Sequence, residues 1–118
     1  VLDEDEARHL LDSIGTATVV GLRDKALIGV MVYTFARVGA AVGLRVEDYF
    51  PQGKRWFLTL HEKRGRVHRM PCHHKLEEML DRYIDAAGIE GDHKGPLFRT
   101  VVGRTQQLTA NPMSTRDA

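Results

Sequence analysis

Two arginines and a lysine carry the most suggestive chemistry in this sequence. Arg37 closes a run of eleven uncharged residues, Ala26 to Ala36, and Arg45 follows eight positions later at the end of Gly43-Leu44-Arg45. An arginine at the end of an apolar stretch needs a partner or a task. Its guanidinium could pair structurally with Glu47 or Asp48, or present its planar fork of N–H donors to a phosphate. Lys63 lies in the most basic part of the chain. Between Lys54 and Arg69 there are six basic residues (Lys54, Arg55, Lys63, Arg64, Arg66, Arg69) and one acid, Glu62, so this segment carries +5 and the remainder −4. That asymmetry implies an anionic partner, nucleic acid foremost; a solvated charged hairpin is the plainer reading. Lysine is also a compact donor whose pKa shifts readily, suited to protonating a leaving oxygen.

Other chemistries fail on spacing. The segment "HEKRG" begins like a zinc-protease HExxH motif, but Gly65 stands where the second histidine must bind metal. "GKR" at 53 to 55 lacks the upstream glycine and the Ser/Thr of a phosphate-binding P-loop. Cys72, His73 and His74 supply donor atoms, yet adjacent side chains diverge on extended chain and no second ligand cluster follows at zinc spacing. No metal site is expected, and Cys72 reads as a small packing residue.

The elements that must position these residues follow from periodicity. Asp3 and Glu6 have capping-box spacing, and Leu10, Leu11 and Ile14 fall on one face of a helix over 4–14. A second helix is predicted from Leu22 to Ala36; its interior, "ALIGVMVYTFA", is apolar nearly all round, as a central buried helix requires. "VGAAVGL" continues as a short helical segment. The period then changes to two, and "VEDY", "KRWFLTLH" and "RVHRMP" read as three strands of an antiparallel meander. Phe50-Pro51-Gln52-Gly53 reads as the first turn, and "EKRG" at 62–65 as a hairpin loop with Lys63 near its tip. Leu76, Met79, Leu80, Tyr83, Ile84 and Ala87 form the stripe of a helix over 75–87, with Gly88 as a left-handed cap. A loop containing "GPLFRT" leads to the end, where Ser114 and Asp117 again have capping-box spacing.

With 118 residues, the chain has room for one domain with a modest core. Its longest apolar run is far short of the ~20 residues a bilayer demands. The acidic start lacks the order of a signal peptide, and one cysteine excludes an internal disulfide framework. A cytoplasmic protein without membrane segments is expected.

Taken together, these features resemble the catalytic domain of the tyrosine recombinases, the phage integrase family. In that family an apolar helix ends in a pattern like "TGLRISELLALRWxDI", followed by a three-stranded sheet. "YTFARVGAAVGLRVEDY" is similar, with Arg37 in the place of the first catalytic arginine and Leu44, Arg45 and Asp48 on the later Leu, Arg and Asp. "EKRGRVHRMPC" resembles the hairpin element "GKGxKERxVPL" and sets Lys63 eight residues before Pro71. The fold implied is α+β, mainly α: a helical domain with a small three-stranded antiparallel sheet, the DNA breaking-rejoining catalytic core, truncated.

The resemblance implies a reaction without cofactor or metal, in which a tyrosine attacks a DNA phosphodiester and forms a 3′-phosphotyrosyl link. Arg37 would stabilise the charge on phosphorus and Lys63 would protonate the departing 5′ oxygen, while Lys54, Arg64, Arg66, Arg69 and Arg45 would hold double-stranded DNA. The family's usual acid three positions after the arginine is replaced by Ala40, which leaves Glu47 or Asp48 to orient Arg37. The family's His-x-x-Arg box and nucleophilic tyrosine would fall beyond Ala118, and Tyr33, Tyr49 and Tyr83 lack the nucleophile's context. Residues 1–118 are thus expected to be a partial catalytic domain that binds DNA at most, while the full-length protein recombines DNA as a homo-oligomer. The competing expectation is a non-catalytic nucleic-acid-binding module on the same scaffold.

Overall fold

The computed structural model describes residues 4–102 and 107–116. Helix α1 spans Glu4–Ser13, α2 Val19–Thr34 and α3 Val38–Val42. Strands β1 (Tyr49–Gln52), β2 (Arg55–His61) and β3 (Val67–Pro71) follow, then helix α4 (His74–Ala87) and a pair of short strands, β4 (Arg99–Val101) and β5 (Leu108–Pro112). Asp3 and Asp117, on which the two capping-box expectations rest, lie outside the described residues.

The central helix begins three residues before the predicted Leu22 and ends at Thr34, two residues short of Ala36. Thr18 accepts the Gly21 N–H at 3.0 Å and so caps the helix ahead of Leu22. A side chain at Gly21 would collide with the Gly15 carbonyl, so glycine is what lets the chain fold back against the helix start. α2 packs along α4, and Gly29 permits the approach: a Cβ there would sit 2.7 Å from Met79 Sδ. Between them, Ala26, Leu27 and Val30 meet Leu76, Leu80 and Tyr83 in one buried cluster. Loss of a fully buried leucine such as Leu80 costs roughly 2–5 kcal/mol. At the N-terminus of α4, the His73 ring accepts the Lys75 N–H at 3.1 Å. Gly88, at φ 66, closes the helix as its position past the stripe predicts.

The three-stranded sheet has the order β1-β2-β3 and is antiparallel throughout, as predicted. Leu58 and Leu60 of β2 point into the core, with Tyr49 opposite Leu58. Phe50, Phe57 and Arg69 take the other face.

Three details differ from the sequence expectation. Val46–Asp48 is a 3-10 turn and the strand starts only at Tyr49. The cause is Asp48, whose carboxylate accepts the Arg45 N–H at 2.8 Å and offers the backbone a local alternative to a ladder. The first hairpin turns at Gly53-Lys54, with Gln52 paired to Arg55 and Gly53 at φ 66; a two-residue turn with glycine first uses just this positive φ. Pro51 stays in β1 because an edge strand can spare its N–H. Finally, the region read as a loop near the end contains the β4–β5 pair, extended by Met113 N–H donating to Phe98 O at 2.9 Å. Its strands, of three and five residues, are too short to show a period.

Candidate nucleic-acid interface

Arg37 stands three residues beyond the end of α2, as the N-cap residue of α3, with extended backbone (φ −73, ψ 155). Its side chain is exposed and has no hydrogen-bond or ion-pair partner among the described residues. The expectation that Glu47 or Asp48 orients it is not met. The Asp48 carboxylate is spent elsewhere: one oxygen accepts the Arg45 N–H, and the other lies 3.2 Å from His61 Nε2. Glu47 is exposed and anchored through its backbone N–H to His93 O at 2.8 Å.

Lys63 opens the β2–β3 connection, a loop closed by Glu62 N–H donating to Arg66 O at 2.7 Å. Arg64 and Gly65 take left-handed backbone, φ 64 and 72, which turns the chain within three residues. Lys63, Arg64 and Arg66 are all exposed on this tip. Two histidine–carboxylate contacts flank it, His68 to Glu62 at 3.1 Å and His61 to Asp48 at 3.2 Å. Through Asp48, the backbone of Arg45 is thus tied to the end of β2 that bears the tip.

The other basic residues separate. Arg69 sits further along β3 with its guanidinium carbon 5.3 Å from the Phe50 ring centre, a cation–π contact. Lys54 lies at the opposite end of β2, about 26 Å from the start of the tip at Glu62 at ~3.3 Å per residue. The structure therefore gathers Lys63, Arg64 and Arg66, brings Arg45 to the same end of the sheet, and leaves Lys54 apart.

No described tyrosine is disposed as a nucleophile. Tyr49 donates to Asp81 at 2.8 Å, and burial together with that carboxylate raises its pKa far above the ordinary 10.0. Tyr83 donates to Leu97 O at 2.6 Å, and burial pushes its pKa up to about 12. Tyr33 is half-buried and stacks on His73 at 4.8 Å. Burial likewise pushes the Cys72 thiol up to about 12, with Glu77 and Asp81 adding to the effect. His73 and His74 stack on each other at 4.3 Å. Among the described residues no cluster of three or more His, Cys, Asp or Glu could hold a metal ion, and no helix is long and apolar enough to cross a membrane.

The sequence model of the phage integrase family matches residues 1–118. The chain belongs to the phage integrase family. Tyrosine recombinase XerD of Listeria innocua is 30% identical over 87 residues, which cover 74% of this chain and 29% of that protein. Among solved structures, XerH site-specific recombinase in a post-cleavage complex with palindromic difH substrate superposes with a TM-score of 0.64 at 18% identity, over 92% of this chain and 31% of that one. The pre-cleavage complex of XerH with difH gives 0.64 at 16%, over 96% and 32%. The fold is therefore that of a tyrosine recombinase catalytic domain, and the chain spans less than a third of each of these relatives.

On this integrase scaffold, sequence reasoning passed over three features. Phe35, two residues before Arg37, is 90% exposed with a left-handed backbone. The Asp48–His61 contact joins residues thirteen apart and has no local signature. Arg23 and Arg99 are buried but structural: Arg23 donates to Asp24 and to Arg99 O at 2.8 Å, and Arg99 donates to Pro96 O and Asp92.

Proposed function

We propose that this chain is the N-terminal part of the catalytic domain of a tyrosine-type site-specific DNA recombinase. In the full-length protein a tyrosine oxygen attacks the scissile phosphorus, the bond to the 5′ oxygen breaks, and the strand is held as a 3′-phosphotyrosyl ester that the reverse attack re-joins. Arg37 stabilises the oxyanions of the pentacoordinate phosphorus, and Lys63 supplies the proton to the departing 5′ oxygen. The exchange of one phosphodiester for another needs no cofactor. Arg64, Arg66, Arg45 and Arg69 hold the duplex near this centre, and Lys54 touches it at the far end of the sheet. Residues 1–118 bind double-stranded DNA without cutting it, because Tyr49 and Tyr83 are committed to internal hydrogen bonds and Tyr33 is stacked against His73. The full-length protein acts on cytoplasmic DNA as a homo-oligomer.

The observation that carries this reading is Arg37, exposed and without a partner among the described residues, beside the core helix of an integrase-family fold. Support also comes from XerH, a site-specific recombinase whose two structures hold difH substrate before and after cleavage. The test is covalent trapping of the full-length protein on a nicked suicide duplex. Arg37→Ala should lower adduct formation by on the order of 10²–10³, while Arg45→Ala should retain it. The opposite pattern would reverse the assignment. A wild-type protein that binds duplex DNA yet never forms the adduct would favour the non-catalytic module.

A further inference from the structure

Phe35 is the residue whose position its own fold least accounts for. Its backbone is left-handed, φ 58 and ψ 22, at the C-terminal end of α2; this conformation is costly for a bulky side chain. The residue is 90% exposed, so burial against the described residues does not offset that cost. The conformation is enforced from both sides. Thr34 Oγ1 donates to Val30 O at 2.6 Å and accepts the Ala36 N–H at 3.2 Å, and Ala36 is itself buried. Exposure therefore alternates, with Phe35 out, Ala36 in and Arg37 out. Phe35 and Arg37, the latter without a partner among the described residues, are thus both exposed two residues apart.

A strained residue that gains nothing from its own fold points to function. A DNA strand alternates anionic phosphate with apolar deoxyribose, and Arg37 and Phe35 present the matching pair. The three exposed cations on the hairpin tip, Lys63, Arg64 and Arg66, add to the chain's attraction for an anionic strand. We propose that Phe35 is a DNA-contacting residue whose ring packs on the deoxyribose adjoining the phosphate that Arg37 binds. The proposal rests on the recombinase reading above. Because sugar is common to all nucleotides, the contact is independent of sequence.

The experiment uses the full-length protein with Phe35→Gly, Phe35→Tyr and Arg37→Ala. It measures thermal melting and affinity for a random-sequence duplex of about 30 base pairs across a salt series. Phe35→Gly should raise the melting temperature by a few degrees, because glycine tolerates the left-handed backbone. It should also weaken binding about tenfold, within the range of aromatic contacts to nucleotides. The slope of log affinity against log salt should not change, because an apolar contact releases no counterions; Arg37→Ala should reduce that slope by about 0.9. Phe35→Tyr should match the wild type in both measurements. The proposal is overturned if Phe35→Gly binds as tightly as wild type. A lower melting temperature for Phe35→Gly overturns it too, since the ring would then be buried against another part of the full-length protein. Failure of the recombinase reading looks different: the wild type would not bind the duplex, or Arg37→Ala would leave affinity and slope unchanged, and the Phe35 contact would fall with it.

Discussion

Replacement of Asp48 tests whether its carboxylate holds the turn before β1. The Asp48 side chain is 10% exposed, and its two oxygens have distinct duties. Oδ2 accepts the Arg45 N–H at 2.8 Å, and Oδ1 faces His61 Nε2 at 3.2 Å. Asp48→Ala strands a half-buried backbone donor and removes a charge-assisted bond, which costs about 1.5–3 kcal/mol. The His61 contact adds at most about 0.5 kcal/mol, because that ring is 57% exposed and solvent screens the pair. The expected total is ~2–3 kcal/mol. With about 2.1 cal/mol/K of unfolding entropy per residue, 118 residues give about 0.25 kcal/mol/K, so the melting temperature should fall by ~8–12 °C. Asp48→Asn keeps an acceptor for the Arg45 N–H and should lose about 1 kcal/mol. His61→Ala should lose less than about 0.5 kcal/mol. Paired thermal and urea melts of the three variants provide the check. If His61→Ala cost as much as Asp48→Ala, or if Asp48→Ala cost under about 1 kcal/mol, the backbone cap would not be what holds this turn.

Two further outcomes follow from the interior. Tyr83→Phe removes the donor to Leu97 O from a fully buried site and should cost about 1–3 kcal/mol by urea unfolding; a neutral substitution would mean that the bond contributes nothing. In alkali, Cys72 and Tyr83 keep their protons in the folded state up to about pH 12, while the unfolded chain loses them near 9.0 and 10.0. Their contribution to stability is thus complete below about pH 9 and is lost as pH rises toward 12. Cys72→Ala should flatten the early part of that decline in pH-dependent melts, and native Cys72 should resist iodoacetamide at pH 8 until the chain is unfolded.

What the sequence revealed tracks how local each signal is. α4 was legible because six apolar residues at helical spacing and one glycine lie within fourteen positions. The hairpin tip was legible because its four charges lie within five positions, Glu62 to Arg66. The 3-10 turn at Val46–Asp48 was not, since apolar and acidic residues there imitate an alternating strand while the Asp48 side chain closes on the Arg45 backbone. Pro51 and Gly53 misplaced the first turn by suggesting it two residues early. Phe35 stayed hidden for a different reason. The family pattern "TGLR" puts glycine at that left-handed position, and a phenylalanine gives no warning that the backbone does the same thing.

The arginines show most clearly where sequence stops. Arg23, Arg37 and Arg99 are the same letter, and two of the three border apolar runs. Only the fold separates them by what faces their donors. Arg23 reaches a carbonyl 76 residues away and Arg99 donates to Pro96 O and Asp92, and both side chains are buried, so a ligand would have to displace part of the packed interior to reach either. Arg37 is exposed, and none of its five donors is bonded among the described residues. A phosphate that binds Arg37 displaces only water, whereas one that binds Arg23 would leave Arg99 O unsatisfied. That difference in cost, rather than any difference in residue type, is the reason the phosphate contact is proposed for Arg37 and not for Arg23 or Arg99.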